Sequence, residues 1–222
     1  MPNPCNTTDD ASEPSGRTAE LTRRRFRALG GAATLGATLA ACTNRSTGST
    51  AKPIGPHSSA VAAAERTREV PGATITAVQL TARPTEVDLG GPRLSTWTYG
   101  SLPGKELRVA RGARLRVDLT NQVPQPTTVH WHGLAIRNDM DGVPDLTQSS
   151  VAAGDRFRYD FTVPESGTFW CHPHVGTQLD RGLYAPVIVE DPSDGADYDE
   201  ELVVVIDDWL DGTGRTPDAV LA

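Results

Sequence analysis

Apolar and polar residues alternate in several short stretches of the sequence. The alternation is clearest over residues 74–78, 106–110, 115–119 and 157–161. A period of two is typical of a strand with one face on a core and the other in water, and Gly, Pro and Asn residues that favour turns separate these stretches. We therefore predict half-buried strands at all four positions.

Two further stretches, residues 185–189 and 202–206, are almost continuously apolar and rich in Val and Ile. Such runs are typical of strands that are covered on both faces. Short strands at this spacing, with no long helices between them, predict an all-β fold and a Greek-key β-sandwich. The second run continues into Asp207-Asp208-Trp209 and a Gly-containing stretch, which predicts a linker towards a further domain.

The start of the sequence has the features of an export signal. Arginines at residues 23–25 precede a weakly apolar run over residues 28–41, which is shorter than the ~20 residues of a membrane-spanning helix. This order indicates a twin-arginine signal, and the Leu-Ala-Ala-Cys sequence ending at Cys42 resembles a lipobox, whose cysteine receives two acyl chains. We expect a lipid anchor at the outer face of a bacterial cell membrane. The order of these features favours this interpretation over an arginine-rich tail followed by a structural helix.

These patterns divide the chain into four parts. Residues 1–42 form the lipoprotein signal. Residues 43–72 form a flexible tether, rich in Ser, Thr, Gly and Pro at its start, with a short helix over residues 59–70. Residues 73–192 form the β-domain, and residues 193–222 contain a last strand and the start of the linker.

Composition and charge restrict the function further. Of the 222 residues, 37% are hydrophobic and 22% are charged, which is typical of a globular protein. The formal net charge of -7 argues against nucleic acid as a partner. The three cysteines, Cys5, Cys42 and Cys171, lie far apart and indicate no disulfide framework. Only Cys171 is expected to remain as a free thiol in the exported protein.

Four of the five histidines lie in two His-X-His triplets, His130-Trp131-His132 and His172-Pro173-His174. In an extended segment, residues i and i+2 face the same side with Cα atoms ~6.6 Å apart, so each triplet presents two imidazoles together. The middle residue faces the other way, and Trp131 is therefore expected in the core. Two such pairs side by side can hold a cluster of metal ions, and nitrogen ligands suit copper, zinc, iron or nickel.

Several linked motifs between about residues 74 and 209 resemble the first cupredoxin domain of the multicopper oxidases. In chain order they are Val129-His130-Trp131-His132-Gly133-Leu134, Asp141-Gly142-Val143-Pro144, Thr147-Gln148, Gly167-Thr168-Phe169-Trp170, His172-Pro173-His174 and Gly182-Leu183-Tyr184. The lipoprotein signal and the Asp207-Asp208-Trp209 ending are similar to those of the copper-resistance oxidases of that family.

The resemblance implies copper as the cofactor, in a trinuclear centre with type 2 and type 3 ions. His130 would bind the type 2 copper. The ligands of the type 3 pair would be His132, His172 and His174. Asp141 matches the family carboxylate that assists proton delivery during reduction of dioxygen, although an Asp before Gly142 also suits a turn.

The resemblance also implies that part of the centre is supplied elsewhere. A complete member has eight histidines at the trinuclear centre and a separate type 1 copper site. This sequence has neither of the motifs that carry the remaining ligands, His-Pro-X-His-X-His and His-Cys-His. We expect further cupredoxin domains, dioxygen and a small reducing substrate as partners, and no turnover by this chain alone.

Cys171 departs from the family pattern, which usually has an aromatic or apolar residue at this position. Strand alternation directs its side chain away from the face that carries His172. A small buried thiol is therefore predicted, in preference to a fifth metal ligand.

Three functions are compatible with these residues. The first is the N-terminal domain of a multicopper oxidase, with cuprous ion, ferrous ion or a phenol as substrate. The second is a free-standing lipoprotein that sequesters copper with the four histidines and has no turnover. The third is a zinc hydrolase in which Asp141 or Asp145 acts as a ligand or base.

Overall fold

The computed structural model of the protein describes residues 54–91, 93–191, 193–195 and 197–222. The predicted signal with its lipidation site at Cys42, and the first part of the predicted tether, lie outside these residues. No helix within the described residues combines the length and the apolar character that crossing a membrane requires.

The described residues form two four-stranded sheets. The strands are β1 (Ile75–Val87), β2 (Leu94–Thr98), β3 (Leu107–Ala110), β4 (Arg114–Asn121), β5 (His130–His132), β6 (Arg156–Thr162), β7 (Gly167–His172) and β8 (Ala185–Glu190). The first sheet has the order β2-β1-β4-β6 and the second the order β3-β8-β7-β5. β1 runs parallel to β4 and β3 to β8, and the other neighbours are antiparallel.

The core of the protein lies between the two sheets. On β4, Leu115, Val117 and Leu119 are fully buried, and the residues between them are partly exposed. They belong to one apolar cluster with side chains of the second sheet, including Trp131 on β5. The four alternating segments and the run over residues 185–189 all overlap strands, and the chain crosses repeatedly between the sheets. The predicted Greek-key β-sandwich is confirmed.

The predicted strand over residues 202–206 is wrong. These residues pair with no strand in the part of the chain that the structure describes. Leu202, Val204 and Ile206 are largely exposed. An apolar, β-branched run becomes a strand only where a sheet edge satisfies its backbone N–H and C=O groups. The edges of the second sheet are β3 and β5, and the run joins neither of them.

A helix precedes the sandwich, as predicted. It is α1 (Ser59–Arg68), and the Ser58 hydroxyl caps it by accepting a hydrogen bond from the Val61 N–H at 3.4 Å. Glu65 on α1 is buried, and its carboxylate accepts a hydrogen bond from the Thr162 N–H at 2.6 Å. Because Thr162 ends β6, the helix is held against the edge of the first sheet.

Shorter helices lie in the connections and near the C-terminal end of the described residues: the 3₁₀ helices Asn138–Met140 and Gln178–Arg181, and α2 (Pro217–Leu221). Arg181 ends the second 3₁₀ helix. Its guanidinium lies 3.1 Å from the carboxylate of Asp211 and 2.8 Å from that of Asp218. These ion pairs attach the residues around α2 to the sandwich at Arg181, a few residues after the second histidine triplet in the chain.

Tyr159 on β6 connects the core to the residue that precedes β5. Its hydroxyl accepts a hydrogen bond from the N–H of the buried Val129 at 2.7 Å. Tyr159→Phe is expected to lower the free energy of unfolding by about 1–3 kcal/mol, because the N–H loses its acceptor in the core. Urea unfolding of the purified chain measures this change. The control is Tyr198→Phe, which alters an exposed phenol; equal losses in the two variants would contradict the prediction.

Candidate metal centre

The two histidine triplets are neighbours in the second sheet. β5 and β7 pair antiparallel, and the opposed residues are His130 and His172, Trp131 and Cys171, and His132 and Trp170. Trp131 and Cys171 are fully buried in the core, as expected. Because side chains of a strand alternate between its two faces, the histidines lie on the face that points away from the core.

The four imidazoles form one cluster. The ring centroid of His130 lies 5.9 Å from that of His132, 5.4 Å from that of His172 and 4.2 Å from that of His174. The ring of His172 lies 5.4 Å from His132 and 5.1 Å from His174. One ring nitrogen from each of His130, His132 and His172 lies within 4.8 Å of the other two. The predicted convergence of the two triplets is confirmed.

Backbone carbonyls orient two of the rings. Nδ1 of His130 lies 2.9 Å from the Asp141 carbonyl oxygen, and Nδ1 of His172 lies 2.9 Å from the Pro173 carbonyl oxygen. An Nδ1–H that donates to a carbonyl leaves Nε2 as the nitrogen that can bind a metal ion. Nε2 of His172 faces Nδ1 of His132 at 3.2 Å. This separation fits two imidazoles that share one ion, since metal–imidazole bonds are about 2.0 Å long.

Asp141 lies beside the cluster. Its carboxylate oxygen Oδ1 is 3.3 Å from Nδ1 of His130, and the carboxylate is partly exposed to solvent. Asp141 also precedes Gly142, which has a φ of 76° and where a Cβ would lie 2.0 Å from the Val129 carbonyl oxygen. Asp141 therefore both precedes the turn at Gly142 and lies beside the imidazoles. Asp145 is exposed and is absent from the clustered ligand groups of the described residues.

Burial favours the neutral form of two of the imidazoles. The pKa of His172 is lowered to about 4, chiefly by burial; the hydrogen bond to the Pro173 carbonyl opposes this shift, and the neighbouring imidazoles add to it. The pKa of His174 is also lowered, first by burial and then by the proximity of His130. Metal ions bind the neutral imidazole, so these two rings are ready to bind at neutral pH.

Trp170 packs against the cluster, which the sequence analysis missed. Its ring stacks on that of His172 with centroids 4.2 Å apart and lies 5.0 Å from the ring of His132. The signal was available in the sequence, because Trp170 precedes His172 by two residues and shares its face of the strand. Packing of the indole against both rings favours one orientation of each imidazole.

Cys171 takes no part in the cluster. Its side chain is fully buried in the core, and burial raises the pKa of the thiol to about 12. A thiol must lose its proton to bind a metal ion. The predicted buried thiol is confirmed, and within the described residues the clustered ligands are imidazole nitrogens only. Nitrogen ligands alone fit copper, zinc, iron and nickel.

Similarity to known proteins decides the family. The family model of the multicopper oxidases matches residues 81–194, just over half of the chain. This chain belongs to the multicopper oxidase family. It is 46% identical over 198 residues to the multicopper oxidase MmcO of Mycobacterium tuberculosis, a match that covers 89% of this chain and 38% of MmcO.

A further relative and a solved structure agree. Copper resistance protein A of Escherichia coli is 36% identical over 139 residues, which cover 61% of this chain and 23% of that protein. The crystal structure of a multicopper oxidase from Pseudomonas thermotolerans matches with a TM-score of 0.53 and 40% identity, covering 55% of this chain and 32% of its own. This chain therefore spans well under half the length of the relatives it matches.

Membership of the multicopper oxidase family confirms two predictions. The cupredoxin-like fold is confirmed, because the two-sheet architecture matches solved multicopper oxidases. Copper is confirmed as the cofactor of the family, and the histidine cluster is able to hold metal. The assignment of particular copper ions to particular histidines stays a prediction.

The metal-free chain is expected to keep His172 neutral down to about pH 4, because protonation would place a charge on a desolvated ring. In the unfolded chain the same ring takes up its proton near the ordinary value of about 6.5. Between pH 6.5 and pH 4 the unfolded chain therefore binds a proton at His172 that the folded chain does not. The free energy of unfolding has its full value, as far as His172 is concerned, above pH 6.5, and it decreases as the pH falls towards 4. NMR titration of the ring resonances, assigned with His172→Gln, measures the pKa. A midpoint near 6.5 would contradict the prediction.

Proposed function

We propose that the chain is the N-terminal, copper-binding part of a multicopper oxidase that oxidises a small reducing substrate and reduces dioxygen to water. The observation that carries the proposal is the convergence of four imidazoles, from β5 and from the end of β7, in a member of this family. Copper supplies one-electron oxidation and reduction, which protein side chains do not readily provide. Cuprous ion, ferrous ion and phenols are the proposed classes of substrate.

Each histidine has a proposed role. His130 holds the type 2 copper, while the type 3 pair is held by His132, His172 and His174. The 3.2 Å separation of the facing nitrogens of His132 and His172 supports a shared ion. The Asp141 carbonyl fixes His130 with Nε2 available, as a second layer of contacts around a metal site commonly does.

Asp141 is proposed to deliver protons to the centre. Its partly exposed carboxylate lies beside Nδ1 of His130, at 3.3 Å. It can therefore accept a proton at Oδ1 from a solvent hydronium ion, which becomes water, and hold that proton next to the cluster. The carbonyl of the same residue accepts from the ring, which keeps the ring oriented while the carboxylate changes its protonation state.

Further cupredoxin domains of a longer protein are proposed to complete the centre. The relatives are longer, since the match covers 38% of MmcO. The run over residues 202–206 exposes apolar side chains and pairs with no strand among the described residues. Exposed apolar surface of this kind is typical of a region that another domain covers.

Export and anchoring belong to the same proposal. The arginines at residues 23–25, the weakly apolar run and Cys42 follow one another in the order of a twin-arginine lipoprotein signal. The proposed location is the outer face of a bacterial cell membrane, where the enzyme would meet metal ions and phenols from outside the cell.

Copper binding by the purified chain tests the proposed centre. We expect His132→Ala and His172→Ala to weaken copper binding at least about tenfold, because each removes a ligand of the proposed type 3 pair. Competition with a chromophoric chelator measures the affinity. The control is His57→Ala, which alters an exposed histidine outside the sandwich. Equal affinity in all three variants would disprove the centre.

Dioxygen uptake and zinc competition separate the alternatives. We expect no sustained uptake by the copper-loaded chain alone with a phenolic or cuprous donor, because part of the ligand set is supplied elsewhere. Sustained uptake would show that no further domain is needed. Retention of zinc in excess copper would favour the hydrolase. A reading frame that continues to a His-Cys-His motif would support the oxidase over a copper-sequestering lipoprotein.

Cys42→Ala tests the lipid anchor. In cells that express the full chain, we expect the variant to leave the detergent phase of a Triton X-114 extraction, because the acylated thiol is missing. Cys5→Ala is the matched control, since it removes another cysteine of the same segment and should partition like the parent. Detergent partitioning that is the same for both variants would refute lipidation at Cys42.

A further inference from the structure

Strand pairing positions three of the four histidines, and the fourth, His174, lies outside the paired residues. His130, His132 and His172 lie in the paired strands β5 and β7. β7 ends at His172, so His174 lies beyond the last pair. Its ring is nevertheless 4.2 Å from that of His130, closer than the strand-paired rings of His130 and His172 at 5.4 Å. Contacts other than the strand pairing must hold His174 in place.

One such contact comes from the loop over residues 125–128, which leads towards β5. The Thr128 hydroxyl accepts a hydrogen bond from the His174 backbone N–H at 3.2 Å, and Thr128 is fully buried. His130 follows Thr128 by two residues. The position of His174 relative to His130 therefore depends on how this loop lies against the segment after β7.

Gln178 joins the loop to that segment. Its side chain is 2% exposed, and its Oε1 accepts a hydrogen bond from the Thr127 hydroxyl at 2.7 Å. Its Nε2 donates to the Pro126 carbonyl oxygen at 2.8 Å and lies 3.4 Å from Oε1 of Gln125. A neutral amide suits this position, because it offers donors and an acceptor on one planar group.

We propose that Gln178 is a positioning residue that sets His174 against His130. The buried amide fastens the 3₁₀ helix that begins at Gln178 to the loop that carries Thr128, and so fixes the segment that holds His174 relative to the loop that leads to His130. The importance of this geometry for copper rests on the proposed function. The geometry itself is present in the polypeptide and is testable without metal.

Two substitutions remove the link from opposite sides. Gln178→Met keeps the length of the side chain and leaves the Pro126 carbonyl and the Thr127 hydroxyl without their partner. Thr127→Val removes the hydroxyl alone, and Thr127→Ser retains it as the conservative rescue. Val117→Ala, in the core of the first sheet, serves as the control for a general loss of stability.

The first readout is the distance between the two rings in the metal-free chain. We expect the nuclear Overhauser effect between the ring protons of His130 and His174 to fall at least about threefold in Gln178→Met and Thr127→Val. It should persist in Thr127→Ser and Val117→Ala, since neither alters the amide contacts. If Gln178→Met does not fold, the nuclear Overhauser effect in Thr127→Val tests the proposal instead. An unchanged effect in a folded variant that lacks the link overturns the proposal.

The second readout is copper(II) affinity by chelator competition. We expect Gln178→Met to bind about tenfold more weakly than the parent. In the His174→Ala background the same substitution should cause no further loss, because Gln178 acts through His174. An equal further loss in that background overturns the proposal. If the parent itself binds no copper, the proposed function fails, whereas the ring-to-ring distances still decide the role of Gln178.

Discussion

The histidine cluster depends on the register in which β5 pairs with β7. With His130 opposite His172, the residues between the histidines, Trp131 and Cys171, face the core. A slip of one residue would turn the imidazoles inward and expose the indole, because side chains alternate strictly along a strand. The indole lies 5.6 Å from the ring of Tyr159 and 5.1 Å from that of Phe161. Apolar packing on one face of the sheet therefore fixes the imidazole cluster on the other.

Beyond the few paired residues of β5 and β7, buried polar contacts position the segments that carry the histidines. The Tyr159 hydroxyl accepts from the N–H before His130, and the Thr128 hydroxyl accepts from the N–H of His174. A buried donor or acceptor without a partner costs about 1–3 kcal/mol, so such contacts strongly favour one arrangement of the loops. The rings are thereby held close together in the polypeptide itself, which lowers the cost of assembling a metal site.

The electrostatics of the cluster agree with its geometry. Four positively charged rings at these separations would repel one another, and burial makes a charge on His172 more unfavourable still. Neutral imidazoles have no such penalty, and each keeps a lone pair for metal. In a member of the multicopper oxidase family, this arrangement presents clustered imidazoles that could hold metal on a two-sheet sandwich.

The sequence by itself predicted the strands β1, β3, β4, β6 and β8, the pairing of histidines within each triplet and the family. These features are local, because alternation and motif spacing are read along a few residues. It predicted a strand at residues 202–206 wrongly, since strand formation needs a partner edge that no local pattern supplies. Only the tertiary structure decided that Trp170 stacks on His172, that His174 approaches His130, and that Gln178 reaches Thr127. The residues of the last two contacts are more than 40 positions apart in the chain, and folding alone brings them together.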